Sequence, residues 1–90
     1  ARPSLAVTVV ESVPWAAVEA AVKAVPCTFR EGLALFDLYR GKQVGEGRKS
    51  FAFRIRFRRA DRTLTGEEVD AVMKSTVAAL ETACGAHVRA

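Results

Sequence analysis

The residues with the clearest chemical character lie in an alternating stretch near the middle of the chain. Phenylalanine or isoleucine occupies every second position, and small or cationic residues stand between them. In an extended strand the two sets project to opposite faces, which predicts one core-facing surface and one open, basic surface. The apolar set is Phe51, Phe53, Ile55 and Phe57, and the other set is Ser50, Ala52, Arg54, Arg56 and Arg58.

An aromatic ring ends the strand that precedes this stretch. Alternation along that strand predicts that Asp37 and Tyr39 lie on the open face. It also predicts Leu35 on the open face and three residues on the core side: Ala34, Phe36 and Leu38. A cationic sheet face with an exposed ring is a common way to hold unpaired RNA bases, and stacking contributes about 1–3 kcal/mol per base. An edge ring that merely shields arginine stems is the alternative for Tyr39.

Small and polar residues on the same face suit contact with a base. Ala6, Thr8 and Ala52 would leave room for a base to approach the sheet. The Asp37 carboxylate can accept from a base amino group, and the Ser50 hydroxyl can bond a base edge or a phosphate. The RNA-binding residues predicted from alternation are therefore Ala6, Asp37, Tyr39, Ser50, Arg54 and Arg56.

The positive charge is clustered. The net charge is +4, and nine of the 14 lysines and arginines fall between Arg40 and Arg62. Such clustering favours an anionic partner, with a solvated strand face as the alternative reading. The segment from Lys49 to Phe57 faintly resembles the RNP1 motif of RRM domains, but its alternation turns the phenylalanines into the core.

The order of strand and helix signals predicts an α+β fold. Strand signals cover 5–11, part of 28–39, 49–59 and 86–89, and apolar helical stripes cover 14–25 and 65–84. The Thr65 hydroxyl and the Glu68 carboxylate can form a reciprocal capping box, and Gly85 can end that helix. This βαββαβ order predicts a ferredoxin-like, four-stranded antiparallel sheet with two helices on one face.

Catalytic and metal-binding patterns are weak. His87 is the lone histidine, and the two cysteines, Cys27 and Cys84, stand far apart and are expected to be reduced thiols. We therefore expect no catalytic residue, no metal site and no cofactor in this segment. Ninety residues with neither a signal segment nor a membrane-length apolar run predict one soluble domain, 1–90, cut from a longer protein.

Three motifs in the chain resemble those of a known family, the ferredoxin-fold anticodon-binding domain at the C-terminus of the phenylalanyl-tRNA synthetase β subunit. The resemblance covers essentially the whole chain, and Gly85 to Arg89 is similar to the family's ending. The matching motifs are Leu35-Phe36-Asp37-Leu38-Tyr39-Arg40-Gly41, Gly45-Glu46-Gly47-Arg48-Lys49-Ser50, and Arg62-Thr63-Leu64-Thr65 followed by Glu67-Glu68-Val69.

The resemblance implies binding of the tRNA(Phe) anticodon stem-loop. It implies that Tyr39 stacks on the first anticodon base and that Asp37, Ser50 and the terminal Arg89 lie at the contact surface. It also implies a cytoplasmic ligase in which other domains use ATP and Mg2+, with the rest of the β subunit and the α subunit as partners. A single-chain mitochondrial synthetase carries a similar domain, so the parent architecture stays open.

The chain departs from the family pattern at one place, and other functions of a ferredoxin-like domain are considered beside RNA binding. Pro3-Ser4 stands where the family usually has Arg-Asp, so we assign no anticodon contact to either residue. A ferredoxin-like ligand-sensing or protein-interaction module is the competing function. An acylphosphatase-like enzyme is disfavoured, because the segment from Glu11 to Pro14 lacks the glycines and arginine of an anion-cradling loop.

Overall fold

The computed structural model describes residues 4–89, and its four strands form one antiparallel sheet in the order β2-β3-β1-β4. The elements are β1 (Ser4–Val10), α1 (Trp15–Lys23), β2 (Arg30–Tyr39), β3 (Arg48–Phe57), α2 (Gly66–Cys84) and β4 (His87–Arg89). The predicted ferredoxin-like fold is confirmed, with strand ends displaced by one or two residues. Pro3 of the Pro3-Ser4 departure lies outside the described residues.

Alternation in the two central strands builds the core. Leu5, Val7 and Val9 on β1 are at most 2% exposed, as are Phe53 and Ile55 on β3. Both helices lie against this face and contribute fully buried side chains: Val18, Val22 and Leu80. Burying one such side chain contributes roughly 1.5–3 kcal/mol, so this face holds the helices to the sheet.

An aromatic cluster anchors the start of α1. The centroid of the Trp15 indole lies 5.5 Å from that of Phe51 and 5.2 Å from that of Phe53. The tilted and edge-on geometries are those that aromatic quadrupoles prefer. The first helix is therefore fixed to the middle of β3, which leaves the opposite face of the sheet uncovered.

A β-bulge in β2 corrects the predicted facing of its residues. Leu35 pairs with Phe53 and Asp37 with Ala52, so Phe36 is an extra residue without its own partner. Leu35 therefore lies on the core side with Phe53, and the predicted open-face position of Leu35 was wrong.

The predicted core-side positions of Ala34 and Phe36 were also wrong. Ala34 pairs with Arg54 on the open face, and the Arg54 guanidinium lies 5.1 Å from the centre of the Phe36 ring. After the bulge Leu38 pairs with Phe51 on the core side, and Tyr39 pairs with Ser50 on the open face, as predicted.

The ends of α2 match the sequence signals in part. The Glu68 N–H donates to the Thr65 hydroxyl at 3.2 Å, and Gly85 adopts the left-handed conformation (φ 60°) that ends a helix. The reciprocal half of the capping box was wrong, because Glu68 Oε1 instead receives the Arg62 guanidinium at 2.6 Å. That contact lowers the pKa of Glu68 below its ordinary value.

Two further features concern the cysteines and the helices. Cys27 and Cys84 are both free thiols, as predicted. Burial raises the pKa of Cys84, whose Sγ lies 3.7 Å from the Ala17 carbonyl oxygen on α1. Between residues 4 and 89, no helix is both long and apolar enough to cross a membrane.

We predict that Thr65→Ala lowers the free energy of unfolding by about 1 kcal/mol, because it removes the hydroxyl that caps the start of α2. Urea denaturation followed by circular dichroism measures the change. Thr63→Ala is the matched control, since Thr63 is an exposed neighbour outside the helix, and it should leave the midpoint unchanged. Equal effects of the two substitutions would contradict the capping role.

Candidate nucleic-acid interface

The strand register aligns open-face residues in rows across the sheet. One row contains Tyr39, Ser50, Thr8 and His87. The adjacent row contains Asp37, Ala52, Ala6 and Arg89. Neighbouring strands are about 4.8 Å apart, so each row spans about 14 Å, and the two rows are about 7 Å apart along the strands. These eight residues, called the open-face trough below, form a surface large enough for more than one nucleobase.

The open-face trough has a low floor and higher sides. Its floor is formed by the central strands, where Ser50 is 1% exposed and Ala52 is 6% exposed. The flanking residues Asp37 and Tyr39 on β2, and His87 and Arg89 on β4, are exposed. Short side chains at the centre and long ones at both edges produce a shallow depression that a flat ring can enter.

Tyr39 and Asp37 act on each other across one strand position. Residues two apart on a strand share a face, and the Asp37 carboxylate raises the pKa of Tyr39 above its ordinary value. One carboxylate oxygen also accepts the Leu38 N–H at 2.9 Å. The ring is 45% exposed, so Tyr39 is a neutral, accessible aromatic surface beside a hydrogen-bond acceptor.

Ser50 holds a buried hydroxyl on the floor of the trough. It lies between Tyr39 and Thr8 in the register, and its Oγ has no hydrogen-bond partner within the described residues. A buried polar atom without a partner is costly to a fold and calls for a reason. A ligand group that enters the trough would supply the missing hydrogen bond.

The arginines on β3 and just after it have different partners. Arg56 and Arg58 share Glu31, with nitrogen–oxygen distances of 3.8 and 3.9 Å. The Arg56 guanidinium lies across Gly32, where a Cβ would be 3.0 Å from Nη2. Arg54 contacts the Phe36 ring instead and forms no ion pair with a carboxylate in the range 4–89. The charge of Arg54 is therefore less neutralised by nearby carboxylates than the charges of Arg56 and Arg58.

The β2–β3 hairpin places more cations beside Tyr39. Arg40 follows Tyr39 directly and is tied to the end of β1 by a 2.8 Å contact with Glu11. Lys42 in the same connection and Arg48 at the start of β3 are exposed. Gly41 and Gly45 have positive φ, and their carbonyl oxygens accept the N–H groups of Val44 and Arg48, so the connection is made of tight turns. A phosphate backbone passing Tyr39 would meet these cations.

The structure brings the predicted residues onto one surface. Ala6, Asp37, Tyr39, Ser50 and Arg89 belong to the two rows, and Arg54 and Arg56 continue the same face along β3. Their role in binding stays a prediction.

Two residues of this face were not predicted from the sequence. Phe36 was predicted on the core side, because the alternation pattern does not reveal the extra residue of the bulge. His87 was not predicted on this face, and the pairing of β4 with β1 places it in the row with Tyr39.

A family model and the relatives named below agree on the family to which the chain belongs. A family model described as the ferredoxin-fold anticodon binding domain matches residues 2–89. The chain is 47% identical over 85 residues to a phenylalanine–tRNA ligase beta subunit of Nocardia farcinica, covering 94% of this chain and 10% of that protein. It is 46% identical over 89 residues to the Thermobifida fusca beta subunit, covering 99% and 11%. The chain thus spans about a tenth of the length of these relatives.

We predict that Asp37→Asn lowers the pKa of Tyr39 toward its ordinary value, because the carboxylate that disfavours the phenolate is removed. Tyr39 is the only tyrosine, so phenolate absorbance during an alkaline titration reports this residue alone. Asp61→Asn is the control, since Asp61 pairs with Arg59 rather than with Tyr39. An unchanged pKa in Asp37→Asn would show that the two side chains do not interact.

Proposed function

Because this chain belongs to the family of ferredoxin-fold anticodon-binding domains, we propose that its open-face trough binds the anticodon stem-loop of tRNA(Phe). The observation that carries this proposal is one cross-strand pair, in which the exposed ring of Tyr39 lies beside Ser50, whose hydroxyl has no partner among residues 4–89. A ring offers a stacking surface, and a buried hydroxyl with no partner in the described part of the chain offers a hydrogen bond to the edge of a base that enters the trough.

Each residue of the trough has a distinct role in this proposal. Tyr39 stacks on the first anticodon base, and Asp37 accepts from a donor on the edge of that base. Ser50 bonds the same base or its phosphate from the floor. Ala6 and Ala52 keep the floor low, so that the RNA approaches the backbone of the sheet.

The cations hold the RNA backbone around this contact. Arg54 and Arg56 lie along β3, and Arg89 lies at the end of β4. Phosphate contacts of this kind set the position of a bound RNA, whereas contacts to base edges set its sequence. Recognition of the first base therefore depends on Tyr39, Asp37 and Ser50.

The wider setting follows from the relatives. We propose that the chain is part of the beta subunit of a cytoplasmic phenylalanine–tRNA ligase and that it supports phenylalanine attachment without contributing a catalytic residue. ATP and Mg2+ would be used by other domains of that protein. The rest of the beta subunit and an alpha subunit would be its protein partners.

An NMR titration tests the binding proposal. The isotope-labelled chain is titrated with the tRNA(Phe) anticodon stem-loop and, separately, with a stem-loop changed at the first anticodon base. The titration with the unchanged stem-loop is repeated on the Tyr39→Ala variant. We expect shifts confined to the open-face trough. Loss of the ring should weaken binding by about 1–3 kcal/mol, or roughly 5- to 150-fold.

Two results would contradict the proposal. Shifts confined to the helices would indicate a protein-interaction or ligand-sensing surface instead. The absence of shifts at low salt and high RNA concentration would reject useful RNA affinity in this segment, and the interaction-module alternative would then be favoured.

We further predict that Ser50→Ala separates binding from stability. The Ser50 hydroxyl is buried and finds no partner between residues 4 and 89, so its removal should leave the free energy of unfolding unchanged or raise it slightly. Affinity for the stem-loop should fall about 2- to 10-fold, which is the value of one hydrogen bond. Ser75→Ala on the exposed side of α2 is the control and should change neither quantity. A Ser50→Ala variant that loses stability but keeps its affinity would show a structural role.

A further inference from the structure

A second aromatic ring lies on the open face beside the trough. Phe36 is the extra residue of the bulge in β2, and its side chain is 51% exposed. In a bulge two residues oppose one, so Phe36 and Asp37 both lie opposite Ala52. Alternation from Leu35, which lies on the core side, places Phe36 on the open face. The bulge then keeps Asp37 and Tyr39 on the same face, so it is the feature that brings the two aromatic rings to one surface.

The Phe36 ring contacts the guanidinium of Arg54. The guanidinium carbon lies 5.1 Å from the ring centre, within the range of a cation–π interaction. Arg54 has no carboxylate partner in the described part of the chain, so its charge is available to a phosphate. An exposed ring beside an available guanidinium is the combination that single-strand binding surfaces use to hold one base and its backbone.

The position of Phe36 relative to Tyr39 suits successive nucleotides. The two residues are three positions apart on β2, and the bulge shortens that path, so their rings are separated by roughly 7–10 Å along the strand. Both lie on the same edge of the trough, above a floor of small side chains. Two bases of one RNA strand can therefore stack separately on the two rings without a reversal of the RNA backbone.

We propose that Phe36 is a second base-stacking platform, which takes a nucleobase adjacent in the RNA chain to the one stacked on Tyr39. This inference rests on the proposed function, since it requires RNA on the open face. It extends that function from one recognised base to a pair of consecutive bases. The bulge is then the structural element that sets how many bases are held.

A double-mutant cycle between protein and RNA tests the proposal. Affinities of the unmodified chain, Phe36→Leu and Tyr39→Ala are measured for the intact stem-loop and for loops with one abasic nucleotide at each anticodon position. Phe36→Leu keeps an apolar side chain but loses the stacking plane, and it should weaken binding to the intact loop about 5- to 30-fold. Against the loop whose abasic position is adjacent to the first base, Phe36→Leu should have no further effect.

Leu35→Ala is the matched control within the same strand. Leu35 is 41% exposed, precedes the bulge and lies on the opposite face, so its truncation tests a general disturbance of β2 without touching the stacking surface. We expect its affinities to equal those of the unmodified chain.

Three outcomes would overturn the proposal. An unchanged affinity in Phe36→Leu, with Tyr39→Ala still weakened, rejects the second platform and leaves the proposed function intact. Equal losses in Phe36→Leu against every abasic loop would mean that the ring only supports the shape of the strand. No affinity in the unmodified chain rejects RNA binding itself and assigns the exposed ring to a protein partner.

Discussion

The uninterrupted alternation of β3 is the constraint on which the rest of the structure depends. This strand is central in the sheet and pairs along its whole length, with β1 on one side and β2 on the other. Its apolar side, which includes Phe53 and Ile55, is covered by the two helices. The Trp15 ring packs against the rings of Phe51 and Phe53 on that side. A register slip of one residue would place arginines in the core, so the burial of one face fixes the composition of the other.

The facing of a strand could be predicted from the sequence where apolar and polar residues alternate clearly. The fold and the facing of β1 and β3 could be predicted because each has one apolar side, which only one register can bury. The first half of β2 could not, because Leu33, Ala34, Leu35 and Phe36 are all apolar and no pattern marks the extra residue. The prediction assumed regular alternation through β2, whereas the extra residue at the bulge shifts the alternation by one position. Asp37 and Tyr39 were therefore predicted on the correct face, while the residues just before them were not.

The charge pattern shows a second limit of sequence reasoning. Nine cations crowded into one segment suggested one basic patch, yet several meet carboxylates that the linear sequence does not place beside them. Arg40 pairs with Glu11, Arg62 with Glu68, and Arg56 and Arg58 share Glu31. Such exposed pairs contribute little to stability, but each reduces the local field that a phosphate would meet. The positive potential of the open face therefore depends on fewer groups than the composition suggests, with Arg54 and Arg89 prominent among them.

The bulge in β2 has a further consequence for the sheet edge. β2 is an outer strand of ten residues, with Leu35 and Leu38 about 40% exposed on its core side, and such an edge invites pairing with a strand of another molecule. An extra residue in its middle breaks the regular spacing of the outward N–H and C=O groups and bends the strand. An incoming strand can match the hydrogen-bonding row on one side of Phe36 but not continuously across it. The irregularity that brings Phe36 and Tyr39 to the same face thus also protects a long apolar edge against aggregation.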